Sequence, residues 1–120
     1  MKFMLIVHHD EEAFNTIELG KRQRLLAESI ALTHQLHAAG QYVHASPLHP
    51  AGTAVIVKVR EGKPFVTDGP FIETREQIAG YFLIDAGNLS EAVSIATKVP
   101  GARIGTVEVR PLIEITGLPG

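Results

Sequence analysis

Residues 66–85 read VTDGPFIETREQIAGYFLID, and this stretch decides the fold. Its bend is Asp68-Gly69-Pro70: Asp starts turns, Gly tolerates positive φ, and Pro fixes its own φ. The charged residues that follow predict a single helical turn over residues 73–78, and the apolar run Tyr81–Asp85 predicts a buried strand. The bend is either a rigid connection or a support that holds the Asp68 carboxylate at the mouth of a pocket.

Both flanks of this stretch carry alternating or helical apolar patterns. Apolar residues at a spacing of two predict strands, and a spacing near 3.6 predicts helices. Gly40 stands where a left-handed residue closes a helix, and Ser90 is expected to cap the second helix. In chain order the predicted elements are a strand at 2–7, a helix at 17–39, strands at 41–45, 54–60 and 64–67, the strand at 81–85, a helix from Ser90 to Val99, and a strand at 106–110.

The order of these elements predicts an α+β fold. It is a split β-α-β arrangement with a β-hairpin inserted in its middle, built as an antiparallel sheet with both helices on one face. Residues 1–115 are expected to form one domain and residues 116–120 a C-terminal tail. Because two helices cover only one face of the sheet, we expect a second copy of the chain to cover the other.

The composition excludes several classes of function. With 11 Lys and Arg against 13 Asp and Glu, the net charge of −2 argues against nucleic acid and anionic membranes as partners. The chain has no cysteine and no apolar run of membrane-helix length, so we expect a cytoplasmic protein. Phosphate-binding, dinucleotide, zinc-protease and serine-hydrolase motifs are missing, and no cofactor is predicted. His34 and His37 share a helix face, but two ligands are too few for zinc, so no metal site is predicted.

Several segments together resemble the DGPF-containing, YCII-related family. The matching motifs are Val66–Phe71, Glu73–Gln77 and Gly80–Asp85, and the segments Met1–Ile6 and Val107–Pro111 are also similar to that family. The resemblance implies a ferredoxin-like domain that forms a homodimer through its sheet face, as in the dimeric α/β-barrel superfamily. The family has no settled activity, so the resemblance implies fold and assembly more than function.

An acid–base pair is the first hypothesis for chemistry. Asp68 and a nearby histidine would move a proton on an apolar or aromatic small molecule, because histidine titrates near neutral pH and a carboxylate orients it. The partner is either His44 or His8, and the pattern does not choose between them. The resemblance adds that YCII-related proteins are suspected of using a His–Asp pair, and that some distant relatives look like dehalogenating or isomerising enzymes.

Five further residues are candidates for binding a small-molecule ligand. An Arg fork suits a carboxylate, and an aromatic ring suits a pocket wall. The candidates are Phe71, Glu73, Arg75, Tyr81 and Arg110.

The alternative hypothesis is a non-catalytic dimeric module that binds a ligand or a protein. The resemblance adds a role in regulation, since relatives often lie beside sigma-factor genes.

Overall fold

Alternating apolar residues build a four-stranded sheet, described by a computed structural model of residues 1–120. Its strand order is β2-β5-β1-β6, and every neighbouring pair is antiparallel. The first and second strands therefore run parallel with β5 between them, which is the predicted split β-α-β arrangement. The elements are β1 (Lys2–His9), α1 (Glu11–Asn15), α2 (Leu19–Ala38), β2 (Tyr42–Pro47), β3 (Val55–Arg60), β4 (Lys63–Asp68), β5 (Gln77–Asp85), α3 (Leu89–Ala96) and β6 (Thr106–Pro111).

The core lies on one face of this sheet, beneath α2 and α3. Phe3 and Leu5 of β1 and Ile84 of β5 are fully buried there, because alternate residues of a strand point to the same side. Leu36 of α2 and Ile95 of α3 complete this packing. The α+β fold with its inserted hairpin is confirmed, whereas the dimeric barrel involves a second chain and stays a prediction.

The N-terminal helix differs from the prediction of one helix over residues 17–39. The structure has two helices, because Asp10 caps a short first one: its Oδ1 accepts from the N–H of Ala13 at 3.1 Å. Asp at the cap followed by two Glu is a strong helix start. The end was predicted correctly, since α2 stops at Ala38 and Gly40 has φ +73°.

Two other local predictions are wrong. Residues 73–76 form no helical turn, because the side chain of Gln77 donates to the carbonyls of Ile72 and Thr74 at 3.1 and 2.9 Å and folds the loop against β5. The cap of α3 is Asn88 rather than Ser90, because the Asn88 Oδ1 accepts from the Glu91 N–H at 2.9 Å. At both positions a side chain forms hydrogen bonds with nearby backbone groups, and these bonds determine the local structure.

The inserted hairpin, β3 and β4, forms a separate two-stranded sheet that we call the arm. Its turn is Glu61-Gly62, with φ of +50° and +75°, as two-residue hairpins require. One face of the arm is apolar, and its residues Val57 and Val66 are each 64% exposed. The radius of gyration is 16.3 Å, against about 13–14 Å for a compact chain of this length. The arm therefore stands away from the body of the molecule.

Candidate functional site

A pocket of about 550 Å³ lies where the arm joins the sheet, and we call it the arm-base pocket. Its floor is His8, the next-to-last residue of β1, and Ile78, its partner in β5. Both lie on the face of the sheet opposite the helices, which we call the open face, because the core residues occupy alternate positions. The other walls come from the loops around the arm: Leu48, His49, Pro50, Ala51, Thr53, Ala54, Pro70, Phe71, Ile72, Thr74, Glu76 and Gln77.

A chain of three side chains crosses the open face beside this pocket. The Nε2 of His8 lies 3.2 Å from Oε1 of Glu108, and Arg110 donates to the other carboxylate oxygen. The hydrogen bond from Arg110, and then that from His8, lower the pKa of Glu108 below its ordinary value. Glu108 is therefore ionised near neutral pH, so it orients the His8 ring and leaves the second ring nitrogen without a partner in the chain.

The strand register explains this meeting. Glu108 lies opposite Ile6 in the ladder between β1 and β6, and Arg110 lies opposite Met4. His8 is two positions from Ile6, so all three polar side chains project from the same face. Side chains on neighbouring strands at such diagonal positions reach each other when they are long.

His44 has a different partner from the one predicted. Its Nδ1 lies 2.8 Å from the hydroxyl of Tyr81, and the two rings stack with centroids 5.7 Å apart. The pair joins β2 to β5 on the open face, outside the arm-base pocket. The structure thus brings together two predicted site residues, but as a cross-strand pair and not with Asp68.

Asp68 is exposed at the end of β4, opposite Val55. It forms no hydrogen bond with His8 or His44 within the chain, and it does not line the pocket, whereas Pro70 and Phe71 from the same bend do. The bend is fastened by the backbone N–H of Gly69, which donates to the carbonyl of Ala54 at 2.8 Å. The structure therefore assigns this bend to the wall of the pocket.

The charged residues after the bend lie mainly on the surface. Arg75 is 91% exposed, and its Nε donates to Oδ2 of Asp10 at 3.2 Å. Hydrogen bonds from the Ala13 N–H and then from Arg75 lower the pKa of Asp10. The ion pair with Arg75 therefore favours the ionised form of the carboxylate that caps α1. Glu73 is exposed and outside the pocket lining. Of this segment, Glu76 lines the pocket, and its Oε1 accepts from the hydroxyl of Thr106 at 2.8 Å.

The residue that sequence reasoning missed at this site is Glu108. A usable signal was present, because Val107 and Val109 alternate with Glu108 and Arg110 and so place both charges away from the core. The even-numbered positions of β1 have the same orientation, which puts His8 on the same face. The alternation does not indicate which strands lie next to β1 in the sheet.

Other kinds of site are not supported by the geometry. No three His, Asp or Glu side chains come close enough together to ligate a metal ion. None of the helices has the length and hydropathy that crossing a bilayer would require. The arm-base pocket, with His8 on its floor and its apolar walls, is the candidate functional site.

Comparison with known families matches residues 1–116 to the YCII-related domain. The chain belongs to the YCII-related domain family. It is also similar to an uncharacterized protein of Rhizobium meliloti (strain 1021), with 31% identity over 114 residues that cover 93% of this chain and 92% of the relative. The predicted resemblance is confirmed.

The arrangement in this YCII-related protein suits proton transfer. An imidazole held by an ionised carboxylate is fixed in one tautomer and accepts a proton at its other nitrogen. Leu48, Phe71 and Ile78 give the pocket apolar walls, and the ammonium of Lys58 lies 5.8 Å from the centroid of the Phe71 ring. The pocket therefore offers a base and an apolar surface, and a cation lies near the ring of one wall residue, Phe71.

Proposed function

We propose that this YCII-related protein is a small cytoplasmic, cofactor-independent enzyme that moves a proton on an apolar or aromatic small molecule. The observation that carries the proposal is His8 on the floor of the arm-base pocket, held by Glu108, which is itself held by Arg110. His8 is the base in this scheme, and Glu108 is a positioning residue. The acid partner is thus Glu108 in place of the predicted Asp68.

The reaction class follows from what the pocket offers. The pair His8 and Glu108 suits removal of a proton from a carbon next to a carbonyl: the C–H bond breaks, the proton goes to the imidazole, and the electron pair moves to the carbonyl oxygen. Return of the proton to another carbon would complete an isomerisation.

A second copy of the chain is part of the proposal. On the open face, the inner strands β1 and β5 present Met4, Ile6 and Leu83, whereas the edge strands present His44 and Arg110. An apolar centre with a polar rim is the pattern of a protein interface. Packing of two open faces would exclude water from His8, whose side chain is 25% exposed in the single chain.

Hydrogen–deuterium exchange tests this proposal without knowledge of the natural substrate. A panel of enolisable aryl ketones and unsaturated lactones is incubated with the protein in D2O, and loss of the α-proton signal is followed by ¹H NMR. We expect His8→Gln to slow exchange by about 100-fold or more, since general base catalysis contributes at least this much. Glu108→Gln should slow it less and shift the pH profile, because the ring keeps its place in the pocket but loses the carboxylate that fixes its tautomer.

His34→Gln is the matched control, because His34 lies exposed on α2 away from the pocket. Exchange that is unchanged in His8→Gln would contradict the proposal. The alternative is a non-catalytic binding module with a regulatory role, which the 25% exposure of the His8 side chain favours. In that case panel members would shift NMR signals of Phe71 and Ile78 without any exchange.

A further inference from the structure

A second cavity, of about 330 Å³, lies on the other side of the sheet, and we call it the helix-side cavity. It runs between the first half of α2 and the strands β2 and β5. Leu26 and Ile30 in its wall are 52% and 51% exposed, which is unusual for large apolar residues beside a core. Its apolar lining includes Leu25, Leu26, Ile30, Tyr42, Pro47 and Phe82.

One cation lies in this apolar surrounding. Arg22 lines the cavity, and its Nε is buried without a hydrogen-bond partner. No acidic residue lines the cavity, and Arg22 forms no ion pair. Its guanidinium lies 5.8 Å from the centroid of the Phe14 ring. A buried donor without an acceptor is costly, so an anion placed here would gain free energy from this guanidinium.

The serine and threonine side chains of the cavity are already engaged. The hydroxyls of Ser29, Thr33 and Ser46 donate to backbone carbonyls at 3.0, 2.6 and 2.8 Å. His9 stacks on Phe14 with ring centroids 4.5 Å apart, and its burial lowers its pKa, so its ring is neutral near neutral pH. Arg22 is therefore the group in this lining that is charged and has a donor to offer.

We propose that the helix-side cavity binds an amphipathic monoanion, a carboxylic acid with an apolar body. The carboxylate accepts from the Arg22 guanidinium, whose fork matches two oxygens, and the apolar body packs against Leu26, Ile30 and Phe82. The volume is at the small end of ligand pockets, which suits a medium-length chain or a single ring. This site is separate from the arm-base pocket and does not depend on the function proposed for it.

Calorimetric titration with decanoate and with decan-1-ol tests the charge at fixed apolar length. We expect the wild type to prefer decanoate by about 10- to 100-fold, the range for a charge-assisted hydrogen bond. Arg22→Gln should remove the preference while decan-1-ol still binds. Arg24→Gln is the matched control, because Arg24 is exposed two positions along the same helix and does not line the cavity.

A second variant covers the case in which Arg22→Gln does not fold. Leu26→Glu puts a negative charge into the wall at a half-exposed position, and it should fold and lose decanoate binding. The proposal is overturned if the wild type binds both probes equally, if Arg22→Gln keeps the preference, or if neither probe binds. It is also overturned if the probes bind only in a variant whose chains do not associate. That result would mean that a second copy of the chain occupies the cavity in the wild type.

Discussion

The body and the arm are both made of strands with the same alternation, yet their apolar residues have opposite surroundings. Phe3, Leu5 and Ile84 in the body are 0% exposed, whereas Val57 and Val66 in the arm are 64% exposed. Alternation thus determines which face of a strand is apolar, but it does not provide the surface that covers this face. In the body the chain supplies its own cover through two helices, and in the arm it supplies none.

This difference bears on how each region is stabilised. A hairpin of two strands is marginally stable in water unless it packs on something else. Within one chain, the apolar arm face and the apolar centre of the open face both lack a cover, which a second copy would supply in the proposed dimer. His8 and Ile78 on the floor of the arm-base pocket belong to the open face, so the proposed assembly would also cover the site of the proposed chemistry.

The largest expected effect compares one truncation in each region. Leu5→Ala should destabilise the fold by about 2–5 kcal/mol, the range for a buried leucine. Val57→Ala in dilute protein should change stability by less than about 0.5 kcal/mol, as exposed positions do. Urea denaturation measures both values. A Val57→Ala variant as unstable as Leu5→Ala would show that the arm face is covered within one chain.

The fold was predictable because its information is local. The alternation of Val107, Glu108, Val109 and Arg110, and the apolar run Tyr81–Asp85, locate strands and core faces without knowledge of any neighbour. The errors occurred at residues 73–78, where the side chain of Gln77 holds the loop, and at the helix start, where Asp10 is a cap. At both places the hydrogen bonds of a single side chain determine the local structure, and the spacing of apolar residues does not predict them.

The site was predictable only in part, because its contacts are distant in the chain. Two of the candidate residues, His8 and Phe71, line the pocket. The acid that meets His8 is Glu108, which is 100 residues away, and this contact depends on the neighbour and register of β1. Asp68 belongs to the arm, a separate sheet, and pairs with Val55. No local pattern contains this information.

A pair of glycine substitutions gives the next effect in size. At Gly105 an added Cβ would lie 2.1 Å from the backbone oxygen of His8, so Gly105→Ala must displace the end of β1. At Gly62 nothing lies within 4 Å, and the cost is that of a left-handed alanine, about 1–2 kcal/mol.

Amide hydrogen exchange distinguishes these two variants. Gly62→Ala should speed exchange in the arm alone, and Gly105→Ala should speed it across β1 and β6. Faster exchange throughout the body in Gly62→Ala would contradict the independence of the arm.

The smallest expected effect is a pH dependence on the open face. Because Arg110 and His8 lower the pKa of Glu108 in the fold, its contribution to stability is complete above its ordinary value of 4.5 and is lost as the pH falls below this value. Glu108→Gln should therefore show a flatter loss of stability in this acid range. Glu114→Gln, in the exposed C-terminal segment, is the control and should follow the wild type. If the denaturation curves of Glu108→Gln and the wild type coincide across this pH range, the contacts of Glu108 with Arg110 and His8 do not contribute to stability.

Sedimentation velocity over a concentration series tests the assembly most directly. We expect a species of twice the 13.0 kDa chain mass at low micromolar concentration. Ile6→Asp on the open face and Val57→Asp on the arm should each return it to single chains, with the helical and strand signals of the body retained. Wild-type protein that sediments as a single 13.0 kDa chain into the tens of micromolar would contradict the proposal that a second copy covers these two surfaces.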